Sequence, residues 1–419
     1  MDNLLYEFFD PKRWETAIAT AVDKGISKSL LRDLSNPATR IDLYHKIRDG
    51  AYVVAPPHEA QIPKDDGSMR TVYVNEDIDR VVLAIYNDML FELCPEMVHP
   101  RCKSYQKGIG CGTTVQEISH QLARTKDADL GVKADLSKYF DSVPRGYINE
   151  IFDRIDNTLG RSAITDAVRL YYNTDTVYDM QKNLIQKYSS LRQGCAVAAF
   201  LADTVLADVD AACLAAGVNY VRYSDDILIT GPKWRDGFQI LSTMLDDKSL
   251  TLNPKKVEFI RRDKWFTFLG FSLKDNMISL SPNRIKTFQK EIEKRTVGQT
   301  SQSEKIIAAK VNSYLYRGNG EYSWAASVLP VINNEKDIQT MNAFTMDAMR
   351  AACTGRTRIG GIGASKGLSD CIISRGNGRD VNTNRRLVPV LEGYATITCM
   401  RKAMLTSRGA YSALLSKLY

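Results

Sequence analysis

The segment VNYVRYSDDILIT, residues 218–230, constrains the fold of this chain more than any other. Two β-prone runs flank a short polar turn, so the segment reads as a hairpin with Asp225 and Asp226 at its tip. Paired acids at a turn are common on protein surfaces, because they solvate well and favour turns. Alone, the pair says little.

A second run, VKADLSKYFDS at 132–142, gives it meaning: Asp135 follows an alternating strand pattern far earlier in the chain. Nucleotidyl transfer needs carboxylates from separate strands to converge on two metal ions ~3.5–4 Å apart. One strand-end acid and a hairpin pair supply that arrangement. Mg²⁺ keeps several oxygens from water and phosphate, so a small acidic cluster suffices to hold it.

Bulk properties fit without deciding. The chain has 419 residues, 44% of them hydrophobic, which is enough for one large or several smaller cores. A net charge of +7 suits a polyphosphate partner, and also many proteins that bind none. The eight cysteines form no CxxC pair and lack histidines at zinc spacing, so they read as free thiols in a reducing cytosol. The N-terminus carries no apolar signal core, and no run approaches the ~18–20 apolar residues of a membrane span, so a cytoplasmic location without membrane contact is expected.

Residues 1 to about 50 read as helical, with Leu30, Leu31 and Leu34 on one face and Pro37 breaking the pattern. From 52 to 74 the pattern is extended, with Asp66-Gly67 as a hairpin turn that sets Lys64 and Arg70 on opposite sides. Residues 77–93 have helical spacing, and the Asp-Ser of FDSV can cap a helix starting near Pro144. A helical region to about 173, a small-residue helix at 196–213, the hairpin, and a further helix from 282 follow. GRTRIGGIGASKG at 355–367 reads as a loop, and the last 35 or so residues as helix. The order is that of an α+β sheet covered by helices.

Taken together, these residues resemble the bacterial reverse transcriptases, the group that includes group II intron, retron and defence-associated enzymes. The likeness runs from about residue 56 to 273. YSDD at 223–226 resembles the YxDD box, ADLSKYFDSV the first catalytic block, and RQG at 192–194 the substrate-helix motif. LNPKKVEF at 252–259 resembles the lysine motif, and FLGF at 268–271 the primer-grip hairpin. Each block is weak alone, but the order is that of the family.

The resemblance implies a right-hand polymerase. Its fingers and ferredoxin-like palm span 51–281, a helical thumb 282–375 and a C-terminal helical segment 376–419, with 1–50 as an N-terminal extension. It implies two Mg²⁺ ions, with Mn²⁺ as a substitute, held by Asp135, Asp225 and Asp226 with help from the carbonyl of Leu136. Phe140 matches the aromatic residue that crowds the sugar 2′-position. Lys64 and Arg70 fall where fingers cations clamp the triphosphate, Gln193 matches the residue that orients the nucleotide, and Gly194 lets backbone approach it. Lys256 matches the lysine that protonates departing pyrophosphate, with Lys255 as a one-residue competitor. Tyr223 lies at the primer end, and Lys286, Lys290, Lys294 and Arg295 are thumb candidates for phosphate contact. The chain departs from the family pattern at Cys195-Ala196-Val197-Ala198, where Ser-Pro is frequent, and at Asp203, where Asn is frequent.

The implied activity is RNA-directed DNA synthesis by a compact defence-associated enzyme, of the class 2 type, that copies a neighbouring non-coding RNA into DNA from deoxynucleoside triphosphates. An oligomer is compatible with it. A retron enzyme, a template-independent polymerase, an RNA-copying polymerase or cyclase on the same palm, and a non-catalytic RNA-binding scaffold are the alternatives.

Overall fold

The computed structural model describes residues 2–64, 67–126, 129–298, 302–318, 323–354, 371–372 and 391–419. The loop expected at 355–367 lies outside them. In chain order the elements begin with helices α1 (Asn3–Phe8), α2 (Pro11–Asp23), α3 (Lys28–Ser35) and α4 (Pro37–Arg48), then strands β1 (His58–Pro63) and β2 (Met69–Val74). Next come α5 (Asp77–Leu93), α6 (Cys111–Arg124), β3 (Asp129–Asp135), α7 (Tyr139–Ser142), α8 (Arg145–Leu159), α9 (Ala163–Asn173), β4 (Thr176–Tyr178) and β5 (Leu184–Gln186). Then follow α10 (Ala198–Val205), α11 (Ala207–Ala215), β6 (Asn219–Tyr223), β7 (Asp226–Thr230), α12 (Trp234–Asp247), β8 (Glu258–Arg261), β9 (Phe266–Phe268), β10 (Phe271–Lys274) and β11 (Met277–Leu280). Helices α13 (Pro282–Thr296), α14 (Glu304–Asn312), α15 (Trp324–Val328), α16 (Glu335–Thr354), α17 (Ile397–Thr406) and α18 (Arg408–Leu418) end the chain.

These elements divide into two compact units. The first holds residues 1–110 and 129–261, the second 111–128 and 262–419. In the first, an antiparallel sheet runs in the order β6-β7-β3-β8, and a second sheet in the order β2-β1-β4-β5. Strand β3 sits between β7 and β8, so it is sheltered on both edges and reads LGVKAD, with Leu130, Val132 and Ala134 buried. At Gly131 a side chain is excluded: a Cβ there would stand 2.0 Å from the Ile229 carbonyl oxygen. Helices α5, α8, α10, α11 and α12 supply the apolar faces that close this unit's core, which extends from Leu4 to Leu250. In the second unit β11-β10-β9 form a three-stranded sheet, against which α6 packs.

Several expectations need correction. The small-residue helix of 196–213 is two helices, broken at Leu206. Helix α8 begins at Arg145 without a side-chain cap, because its N-cap residue is Pro144; Ser142, two residues earlier, donates its hydroxyl to the Lys138 carbonyl at 2.9 Å. The cysteines are not all free thiols: Cys371 and Cys399, 28 residues apart, form a disulfide, while the other six are unpaired. Among the described residues no helix is long and apolar enough to cross a membrane.

Candidate active site

The hairpin β6–β7 closes through Ser224 and Asp225, with Ser224 in the left-handed region at φ 57°. Tyr223 and Asp226 are cross-strand partners at its last rung, and Asp226 is also the partner of Asp135 on β3. Directly opposed residues of an antiparallel pair share a face with Cβ atoms ~4.5–5.5 Å apart. Register therefore sets Asp135, Asp226 and Tyr223 in one row across three strands, with Asp225 in the turn beside them. The Leu136 N–H donates to the Asp225 carbonyl at 3.2 Å, tying the strand end to the turn. The Asp135 carbonyl accepts from the Asn253 N–H at 2.7 Å, and Ser137 N–H donates to Thr251 at 2.8 Å. Asp135 is 4% exposed.

Charge is concentrated here. Burial, with the neighbouring Asp135, raises the Asp225 carboxyl above its usual range; Arg70 is among the cations that oppose the rise. Burial together with Asp225 and Asp135 pushes Asp226 up to about 6. Lys256 Nζ lies 2.7 Å from Asp135 Oδ2; burial lowers its pKa, but the hydrogen bond and the charges of all three acids outweigh that and hold it above the usual lysine value. Three desolvated carboxylates beside one ammonium leave excess negative charge, and their all-oxygen donor set is the kind that hard divalent ions such as Mg²⁺ take. Among the described residues no three His, Cys, Asp or Glu side chains stand together as a preformed metal cage. Asp135 instead gives one oxygen to Lys256.

The other predicted residues fall as follows. Lys64 and Arg70 are exposed on the β1–β2 hairpin, where Ile62 pairs with Arg70 and the Lys64 N–H bonds the Ser68 carbonyl. Phe140 is half-buried in α7, edge-on to Tyr139, and its carbonyl accepts from the Leu191 N–H. The Gln193 carbonyl accepts from the Tyr73 N–H at 2.7 Å, which fastens the RQG turn to β2. Gly194 also meets a constraint of the fold. Its φ is 109°, and a Cβ would come within 2.8 Å of the Tyr73 carbonyl, so the close approach is to β2. Lys256 reaches Asp135, whereas the Lys255 N–H joins the Asn253 side chain. In the second unit Lys286, Lys290 and Lys294 stand exposed at i, i+4 and i+8 of α13. Arg295 is half-buried, paired with Glu291 at 2.5 Å and over the Tyr314 ring.

Two buried arginines are missed by the sequence reading. Arg192, at φ 58°, bonds Ser189 and the Thr174 carbonyl and lies 4.0 Å over Tyr171, so it fixes the RQG turn from inside. Arg222 is wholly buried behind the hairpin, paired with Asp210 at 2.6 Å. Asp203 and Asp210, acids in otherwise apolar helices, are the signal that a buried cation is needed. Lys138 and Lys187 are also missed; both favour the charged form of Asp141, whose carboxyl burial raises.

In comparison with known proteins, the family model "Reverse transcriptase (RNA-dependent DNA polymerase)" matches residues 62–273. No curated protein is a significant match in sequence. Among solved structures, telomerase from Candida albicans, in complex with the TWJ fragment of telomeric RNA, is similar at 13% identity and a TM-score of 0.42, over 74% of this chain. The chain spans 57% of that protein's length. The matched region is just over half of the sequence and contains every carboxylate of the site: this chain belongs to the reverse transcriptase (RNA-dependent DNA polymerase) family.

Proposed function

We propose that this chain is an RNA-directed DNA polymerase that joins deoxynucleotides along an RNA template. The observation that carries the reading is the register of Asp135 against Asp226, with Asp225 in the adjoining turn. Asp135, Asp225 and Asp226 would hold two divalent ions, which supply activation of a 3′-hydroxyl and charge neutralisation at the leaving pyrophosphate. The Leu136 carbonyl adds an oxygen donor. Lys64 and Arg70, carried on the exposed hairpin, neutralise the incoming triphosphate. Phe140 crowds the sugar 2′-position, Gln193 orients the nucleotide, and Lys256 is the proton donor near the departing phosphate. The division into fingers and palm at 51–281, thumb at 282–375 and flanking segments at 1–50 and 376–419 belongs to the same proposal. So do Tyr223 at the primer end and Lys286, Lys290, Lys294 and Arg295 as phosphate contacts.

The finer reading is a cytoplasmic defence-associated enzyme that copies a partner non-coding RNA during phage infection. It rests on the motif resemblance. Purified protein with Mg²⁺, an RNA template, a DNA primer and deoxynucleoside triphosphates should extend the primer, and the Asp225→Ala/Asp226→Ala double variant should not. Sequencing of copurifying nucleic acid narrows the remaining alternatives. A defined small RNA with its complementary DNA supports the defence and retron readings alike, untemplated DNA points to a template-independent polymerase, and equal activity of the double variant removes catalysis by this site.

A further inference from the structure

Arg222 stands immediately before the residues of the active-site row, yet strand alternation turns it to the opposite face of β6 from Tyr223. There it is fully buried. Its Nε and Nη2 grip Asp210 at 2.7 and 2.6 Å, Nη2 also meets the Asp203 carbonyl at 2.7 Å, and Nη1 donates to the Ser224 carbonyl at 3.2 Å. The Ser224 N–H donates to Ser104 Oγ at 2.9 Å, and Ser104 Oγ donates to Asp203 Oδ1 at 2.5 Å. Both backbone groups of the residue that precedes Asp225 are thus fixed by buried side chains. Ser104 reaches the site on a segment laid along β6: Arg222 N–H bonds Arg101, and Lys103 N–H bonds Arg222, at 3.0 and 2.8 Å.

A buried ion pair adds little stability over well-packed apolar side chains, and its best-attested use is to specify one arrangement. Here the arrangement specified is a turn whose Ser224 adopts a left-handed conformation rare for anything but glycine. We infer that Ser104, Asp203 and Arg222 form a brace behind the sheet that positions the Asp225–Asp226 turn for metal binding, and so act as positioning residues for the reaction. The inference rests on the polymerase reading for its consequence in catalysis, but not for its consequence in metal binding. Removing Ser104 Oγ leaves the Ser224 N–H buried without its acceptor, and the turn relaxes away from the carboxylate row.

The test is Mn²⁺ binding by the full chain, followed by electron paramagnetic resonance, alongside nucleotide incorporation. Ser104→Ala should raise the Mn²⁺ half-saturation about fivefold or more and lower kcat by about 10–100-fold, with KM for nucleotide changed less than threefold. Asp203→Ala, which removes the acceptor of the Ser104 hydroxyl, should shift both in the same direction, and Asp203→Asn, which restores an acceptor, should bring them back toward the parent. Should Ser104→Ala fail to fold, Arg222→Lys keeps the charge beside Asp210 but gives up the bond to the Ser224 carbonyl, and should show the same shift. A merely structural role would lower thermal stability while the folded fraction bound Mn²⁺ as the parent does, and that result overturns the brace. If the half-saturation shifts while the parent incorporates no nucleotide, the brace stands and the polymerase reading falls.

Discussion

Lys256 Nζ lies 2.7 Å from Asp135 Oδ2, so the ammonium of one motif neutralises a carboxylate of another. The lysine side chain is 57% exposed but the Asp135 side chain is only 6% exposed, so removing the ammonium leaves a buried carboxylate without its partner. Lys256→Met should therefore cost the metal-free protein about 1–3 kcal/mol while nucleotide incorporation falls by about 100-fold, the scale of a lost proton donor. Denaturant titration and single-turnover kinetics check the two halves. A rate equal to that of the parent would assign the lysine to charge balance alone.

Asp226 is pushed up to about 6 by burial and then by Asp225 and Asp135. Ionising it at neutral pH costs folding energy, so Asp226→Asn should stabilise the metal-free protein by about 1–3 kcal/mol at pH 7.5 while activity is lost. Mg²⁺ should raise the thermal midpoint of the parent and not that of the variant. A variant less stable than the metal-free parent would contradict the charge account.

Asp203 gives a pH-dependent counterpart. Burial raises its carboxyl to about 6, with Arg222 opposing. A folded pKa above the unfolded one means its contribution to stability is complete below about pH 4 and is lost as pH rises through about 6. Asp203→Asn has no such loss, so its stability relative to the parent should climb between pH 4 and 7 by about 1–3 kcal/mol. A difference that stays flat across that window would show that the acid is not held in this way.

Gly194→Ala must place a Cβ within 2.8 Å of the Tyr73 carbonyl at a φ of 109°. The expected cost is at least about 1–3 kcal/mol in urea unfolding. A neutral effect would mean that the RQG turn is not held against β2.

Phe140→Ala opens space beside α7. Incorporation of ribonucleotides relative to deoxynucleotides should rise by about 10–100-fold in competition assays, the scale of a lost steric contact. An unchanged ratio would leave Phe140 as a packing residue of the core.

The active-site row was legible in the sequence because its signals are local: a turn between alternating runs, and an acid at a strand end. What escaped depends on distance or brevity. Strands β4 and β5 have three residues each, too few to show a period. Small residues across 196–213 carry no mark of the break at Leu206. Arg192 and Arg222 are charged and would be placed outside by type, yet both are buried because partners from other elements satisfy them. The pairing of Cys371 with Cys399 follows no spacing rule, and Gly194 serves a neighbouring strand that only the fold brings near.

The membership of α6 in the second unit has a consequence for biosynthesis. Val115, Ile118 and Leu122 emerge from the ribosome among residues of the first unit, yet the strands that cover this helix, β10 and β11, are translated much later. At about 5–20 residues per second, the helix waits on the order of 10–30 s before it has a surface to dock on. During that interval its apolar side lacks the strands that cover it in the folded second unit.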